Sequence, residues 1–112
     1  KRGFRGPVFA QEASCELVAI LLADAAHLAE RDAKYRSRKT GKKIKPLYTL
    51  AEGERVIRQL QGCRYREEFD VVPGIRVRFM DAGHILGSCV VEVWAEENDV
   101  RKKIVFSGDL GQ

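Results

Sequence analysis

The chain is poor in the residues that most often build metal sites and disulfides. Its 112 residues include two histidines, His27 and His84, and three cysteines, Cys15, Cys63 and Cys89, without a C-x-x-C pair. An odd number of cysteines without paired spacing argues against a disulfide framework and is typical of a reducing cytoplasm. Two histidines are too few to complete a histidine-rich metal site within this sequence.

Long apolar runs are also missing. The segment Leu17–Ala26 is apolar but contains Asp24, and it is far shorter than the ~20 residues that span a bilayer. We therefore expect a cytoplasmic protein without a membrane partner. Because Lys1 is not a natural start, we also expect residues to precede it.

Positive charge is concentrated in one segment, although the net charge is only +4. Six cations and no acid lie within ten residues: Arg36, Arg38, Lys39, Lys42, Lys43 and Lys45. Such a segment can bind a polyanion such as an RNA backbone. It can equally be a solvated loop with scattered charge, since exposed lysines are common.

The N-terminal half of the sequence predicts helices. After a short strand at Pro7–Ala10, apolar residues at helical spacing predict a helix from about residue 11 to about Arg36, followed by an exposed loop at Ser37–Lys43. The sequence Thr49–Glu52 is a capping box that opens a second helix, which we expect to end near Gly62.

The C-terminal half predicts strands. Tyr65–Val72 is extended, Pro73 and Gly74 form a turn, and alternating apolar residues follow at Ile75–Met80. Cys89–Ala95 is apolar on both faces apart from Glu92, which indicates a strand inside a sheet, and Lys103–Phe106 predicts another strand. The predicted fold class is α/β, with two helices packed on a mostly antiparallel sheet.

Two glycine-flanked motifs stand at the ends of strand-like runs, Gly83–Ser88 around His84 and Ser107–Gly111 around Asp109. A histidine and an aspartate at two strand ends can share metal ions and support hydrolysis of a phosphate or carbonyl bond. Ser88 and Ser107 could donate hydrogen bonds to these ligands. Taken alone, each motif is also compatible with a simple loop histidine or turn aspartate.

Together the segments Asp81–Ser88 and Ser107–Gly111 resemble the third and fourth metal motifs of the metallo-β-lactamase superfamily. More narrowly, with Gly3–Ala10 and Leu21–His27, they resemble the β-CASP branch of RNA-processing nucleases. The resemblance implies a partial αββα sandwich and a dinuclear zinc centre. It implies His84 as a ligand of one zinc and Asp109 as the carboxylate that bridges both.

The chain also departs from that family. The H-x-H-x-D-H run, the inserted β-CASP domain and the C-terminal histidine motifs are absent from the sequence. We therefore expect residues 1–112 to be a single partial domain whose isolated form has no nuclease activity and no tightly bound zinc. A sandwich cut in this way exposes a sheet edge, so we expect self-association through that edge or by segment exchange.

Three functions are consistent with these observations. The first is part of a zinc-dependent ribonuclease, an RNA-processing exonuclease that hydrolyses phosphodiesters. The second is a non-catalytic RNA- or protein-binding module, and the third is a hydrolase of small esters or thioesters from the same superfamily. Asp24 and His27, three residues apart, are interpreted as a side-chain pair within the first helix.

Overall fold

The computed structural model describes residues 3–111, which divide into two compact units. The first unit comprises the chain through Val8 together with Cys15–Gln61, and the second comprises Phe9–Ser14 together with the chain from Gly62 onwards. Helices make up most of the first unit and strands most of the second.

The first helix, α1, spans Glu12–Thr40. It follows the strand β1, Val8–Gln11, and its buried residues are Ala26 and Ala33. The helix ends four residues later than expected, so the predicted loop at Ser37–Lys43 is wrong over its first part. The hydroxyls of Ser37 and Thr40 in this last turn donate to the carbonyls of the residues four positions earlier.

The second helix, α2, spans Leu50–Ile57 and begins with the predicted capping box. Thr49 accepts from the backbone N–H of Glu52, and the Glu52 carboxylate accepts from the backbone N–H of Thr49 at 2.9 Å. The expected end near Gly62 is wrong. The helix stops at Ile57, and Gly62 belongs to the strand β2, Leu60–Cys63, which pairs with β1 in a two-stranded sheet.

Four antiparallel strands form the main sheet in the order β3, β4, β5, β6. Their bounds are Glu68–Val72, Ile75–Asp81, Cys89–Glu97 and Val100–Phe106. The predicted antiparallel sheet is therefore confirmed, and β5 lies inside the sheet as its largely apolar sequence indicated.

The register of the sheet separates an apolar face from a charged one, because directly opposite residues share a face. On the apolar face Val77 pairs with Phe69 and Val93, and Val77 and Phe79 are buried. Phe69 stands between Phe9 and Phe79, with ring centroids 5.1 and 5.4 Å away. These aromatic contacts form the centre of the second unit's core.

The charged face is a row of ion pairs across four strands. Glu92 on β5 accepts from Arg78 on β4 at 2.6 Å and also from Lys103 on β6, while Arg78 reaches Glu68 on β3 at 3.3 Å. The hydrogen bonds from Arg78 and Lys103 lower the pKa of Glu92 below its ordinary value. Trp94 lies beside this row, with Lys103 5.1 Å from the ring centroid.

The predicted α/β class is confirmed by two helices and a four-stranded antiparallel sheet. Within residues 3–111, neither helix combines the length and the apolar character that a bilayer crossing requires.

Candidate functional site

The loop that carries His84 begins where β4 ends, at Asp81. The Asp81 carboxylate accepts a hydrogen bond from the backbone N–H of Gly83 at 2.8 Å, which closes a turn directly after the strand. Gly83 has a φ of +66°, in the left-handed region where a residue with a Cβ would be strained. The chain can therefore turn sharply off β4 immediately before His84.

The hydroxyl of Ser88 orders the backbone of this loop. Its oxygen accepts from the backbone N–H groups of His84 and Ile85, each at 3.2 Å. The backbone N–H of Ser88 in turn donates to the carbonyl of Ile85 at 3.0 Å. Ser88 thus orders the segment that carries His84, while a hydrogen bond from Ser88 to a metal ligand stays a prediction.

Two side chains that the sequence analysis did not single out anchor the same loop. Tyr65 donates to the carbonyl of Ser88 at 2.8 Å, and Ser14 donates to the carbonyl of Gly87 at 2.7 Å. Burial, with the nearby negative charge of Asp81, raises the pKa of Tyr65 and keeps its hydroxyl a donor. Ser14 is 73 residues from its acceptor, so no local motif could have revealed it.

The loop that carries Asp109 leaves β6 after Phe106. Gly108 turns the chain with a φ of +58°, and the Ser107 hydroxyl donates to the carbonyl of Gly108 at 3.2 Å. The backbone N–H of Gly111 donates to the carbonyl of Ala82 at 2.9 Å. A Cβ on Gly111 would overlap the carbonyl group of Gly83, so the two loops are in backbone contact.

This contact brings the two predicted ligands together. The Nε2 atom of His84 lies 3.9 Å from Oδ2 of Asp109. The His84 side chain is 44% exposed and that of Asp109 is 89% exposed, so a metal ion in solvent can reach both. Two donors of one tetrahedral zinc stand about 3.4 Å apart at ordinary zinc–ligand distances, so the observed separation is close to that of a shared ligand set.

The described residues do not complete such a set. Among residues 3–111, no group of three or more His, Cys, Asp or Glu side chains is placed to hold a metal ion. A structural zinc takes four protein ligands and a catalytic zinc takes three. His84 and Asp109 therefore fit as part of a metal site, but alone they supply too few donors.

The basic segment lies in the other unit. Arg36, Arg38 and Lys39 occupy the end of α1, and Lys42, Lys43 and Lys45 follow in the connecting loop. All six are exposed. The Ser37 hydroxyl accepts from the backbone N–H of Ile44 at 2.9 Å, which holds the loop back against the helix end. Arg36 is also 3.7 Å from Asp32, in an exposed pair that contributes little to stability.

Asp24 and His27 are both exposed on α1. Their predicted role as a pair that fixes the helix stays a prediction.

No protein-family model matches the chain. It is similar to two archaeal proteins, both named transcription termination factor FttA. The chain is 26% identical over 110 residues to the factor of Cenarchaeum symbiosum, and 98% of the chain is covered. It is 30% identical over 109 residues to the factor of Methanosarcina mazei, and 97% of the chain is covered. The chain spans about 15% of the length of each of these relatives.

Proposed function

We propose that this chain forms part of a zinc-dependent RNA nuclease of the β-CASP branch, in which His84 and Asp109 supply two of the metal ligands. The observation that carries the proposal is the 3.9 Å approach of the His84 imidazole to the Asp109 carboxylate. The similarity to two transcription termination factors supports a role close to RNA and a cytoplasmic location.

The chemistry of the two side chains agrees with this role. When bound, zinc would activate water at neutral pH and neutralise charge on a phosphodiester. An imidazole is a preferred zinc ligand, and the two carboxylate oxygens of Asp109 allow it to bridge two ions. Ser88, Tyr65 and Ser14 fix the His84 loop before any ligand binds, which lowers the cost of holding the imidazole in place.

The remaining donors would come from residues outside the present sequence. Two exposed donors bind zinc weakly, so we expect the isolated 112-residue chain to hold no stoichiometric zinc and to leave RNA intact. Metal analysis of the purified chain and incubation with end-labelled RNA test both points. Stoichiometric zinc that disappears in a His84→Ala variant would contradict this expectation.

The main test uses the full reading frame that encodes these residues. We expect His84→Ala and Asp109→Asn each to lower zinc content and to slow RNA cleavage by about a hundredfold or more. His27→Ala is the matched control, since His27 is the other histidine of the sequence and lies exposed on α1. Asp99→Asn is the control for the carboxylate, in an exposed turn with a φ of +62° that asparagine tolerates. Full zinc content and full activity in both ligand variants would refute the proposal.

A second candidate function is RNA binding without catalysis, and the exposed cations around the end of α1 favour it. Lysines contribute to RNA affinity by releasing counterions, so binding should weaken steeply with salt. Substituting Lys42, Lys43 and Lys45 together by alanine should reduce the slope of log affinity against log salt by about 0.7 for each lost phosphate contact. Fluorescence anisotropy with single-stranded RNA measures this slope.

Arg101 and Lys102, exposed on β6, provide a control pair of cations outside the segment. Salt-independent binding, or an equal loss from the control pair, would contradict a role for the basic segment. The third possibility, an ester or thioester hydrolase, predicts that His84→Ala abolishes thioester hydrolysis in the full protein while RNA cleavage is absent from the start.

A further inference from the structure

One face of α1 is apolar, exposed and regularly spaced. Leu17, Leu21, Leu28 and Tyr35 are exposed by 36, 63, 46 and 64%, and Ile20, 69% exposed, flanks them. With Asp24 and Arg31 they form a series whose spacing alternates between four and three residues, which we call the α1 stripe. The buried alanines of the helix, Ala26 and Ala33, are not part of it.

The spacing of the stripe is that of a coiled-coil seam. A repeat of 3.5 residues keeps one narrow line of side chains facing a partner helix, whereas packing onto a globular core uses a broader face. A shallow cavity of about 420 Å³ lies on the stripe between Leu28, Arg31, Asp32 and Tyr35. Such a hollow can accept a side chain from a facing helix.

The charges of α1 indicate which partner fits. The half of the helix before His27 has three acids, Glu12, Glu16 and Asp24, and no cation. The half from His27 onwards has five cations, Arg31, Lys34, Arg36, Arg38 and Lys39, against two acids. An antiparallel copy of the same helix would place the acidic half beside the basic half.

We propose that the α1 stripe pairs with the stripe of a second copy of this chain, in antiparallel orientation. In this register Leu17 lies beside Tyr35 of the second copy, and Asp24 is within one helical turn of Arg31 of the second copy. Both polar members of the stripe then meet an opposite charge. A parallel pair would instead place Asp24 against Asp24 and Arg31 against Arg31.

The exposed edge of the main sheet is a weaker candidate for self-association. Strand β6 exposes Ile104, Val105 and Phe106, but three consecutive cations, Arg101–Lys103, stand on the same short strand. Lysines on an edge strand discourage pairing with another edge. The helix face has charge complementarity to itself, and the sheet edge does not. This inference is independent of the proposed nuclease function.

Charge reversal gives the sharpest test. Sedimentation equilibrium should show a dimer of the 112-residue chain at concentrations of about 0.1 mM. Asp24→Arg creates two repulsive Arg–Arg contacts per dimer, and Arg31→Asp creates two Asp–Asp contacts. Each variant alone should dimerise about tenfold more weakly. An equimolar mixture of the two variants, or the double variant Asp24→Arg/Arg31→Asp, should recover the dimer.

A second set of variants tests the apolar contacts. Leu21→Ala should weaken dimerisation by about a hundredfold, because each copy loses most of a buried leucine and no charge is introduced beside Arg31 of the second copy. Leu47→Ala makes the same change at another exposed leucine, outside α1, and should leave the dimer intact. Circular dichroism checks that α1 remains folded in every variant. A monomeric wild-type chain, or a dimer insensitive to Leu21→Ala, would overturn the proposal, and failure of the mixture to recover would overturn the antiparallel orientation.

Discussion

A single methyl group added at Gly111 should separate the loops that carry His84 and Asp109. The atoms that a Cβ would overlap belong to the backbone of Gly83 and His84, so no flexible side chain can move aside. The strain is steric alone, because Gly111 is not among the glycines with positive φ. Gly111→Ala must therefore push the Asp109 loop away from the His84 loop.

The expected cost follows from what this movement breaks. The hydrogen bond from Gly111 to the carbonyl of Ala82, at 2.9 Å, contributes about 1 kcal/mol. Overpacking against rigid backbone costs about 1–3 kcal/mol, and the lower entropy of alanine in the unfolded chain returns about 0.5 kcal/mol. We expect the second unit to lose about 1.5–3.5 kcal/mol of unfolding free energy.

Gly53→Ala is the matched control. Gly53 lies in α2, where a Cβ would be 3.6 Å from the carbonyl oxygen of Leu22 and 3.9 Å from Cβ of Ala26, both ordinary contacts. Alanine is a better helix former than glycine, so this variant should be more stable by about 0.5–1 kcal/mol. Urea titrations followed by Trp94 fluorescence report on the second unit, and the circular dichroism of the helices reports mainly on the first.

If Gly111→Ala leaves the midpoint of the Trp94 transition unchanged, and the amide resonances of residues 81–88 do not shift, the loops do not touch as described. If Gly111→Ala costs no more stability than alanine does at a glycine whose added Cβ would meet no other atom, a steric clash at Gly111 is also excluded.

Three further predictions concern the sheet and the helix cap. Phe79→Ala should lower the unfolding free energy by about 3 kcal/mol, because Phe79 is buried in the aromatic core. The same substitution at the exposed Phe106 should cost under about 1 kcal/mol, and urea titrations measure both. Since Arg78 and Lys103 lower the pKa of Glu92, its carboxylate stabilises the fold above its ordinary pKa, and this contribution is lost as the pH falls through the lowered value. Glu92→Gln should therefore destabilise the chain at neutral pH and flatten the decline in its stability on acidification; unchanged pH profiles would contradict this. Thr49→Ala should cost about 1 kcal/mol by thermal melting, since it removes the capping box, and restoration by Thr49→Ser would assign the loss to the hydroxyl.

The parts of the fold that depend on residues close together in the sequence could be predicted from it. The capping box at Thr49 and the alternation of Ile75, Val77 and Phe79 were both sufficient, because each sets a local hydrogen bond or one face of a strand. The end of α1 could not be predicted from apolar spacing. The four residues by which it is longer, Ser37–Thr40, all have polar side chains, so no apolar repeat marks them.

Distant contacts account for the remaining differences. Gly62 follows a helical pattern, but it belongs to a strand because β1 is available to pair with it. In the candidate site, the glycines around His84 and Asp109 were sufficient to predict the two turns. The hydrogen bonds of Ser14 and Tyr65 to the His84 loop join residues 73 and 23 positions apart, which a pattern in one segment does not record.

The hydrogen bond from Ser14 joins two residues that are far apart in the sequence, which affects the order of folding. Adjacent hairpins of the sheet close short loops and can form early, but the His84 loop acquires its Ser14 anchor only when the two ends of a 73-residue span meet. We expect the His84 loop to become protected last during refolding, after the strands on either side of it. Pulsed hydrogen exchange would show this as late protection of the amides of His84 and Ile85, and simultaneous protection with β4 and β5 would contradict it. The two glycine-flanked turns would then be the last part of the second unit to acquire their native contacts.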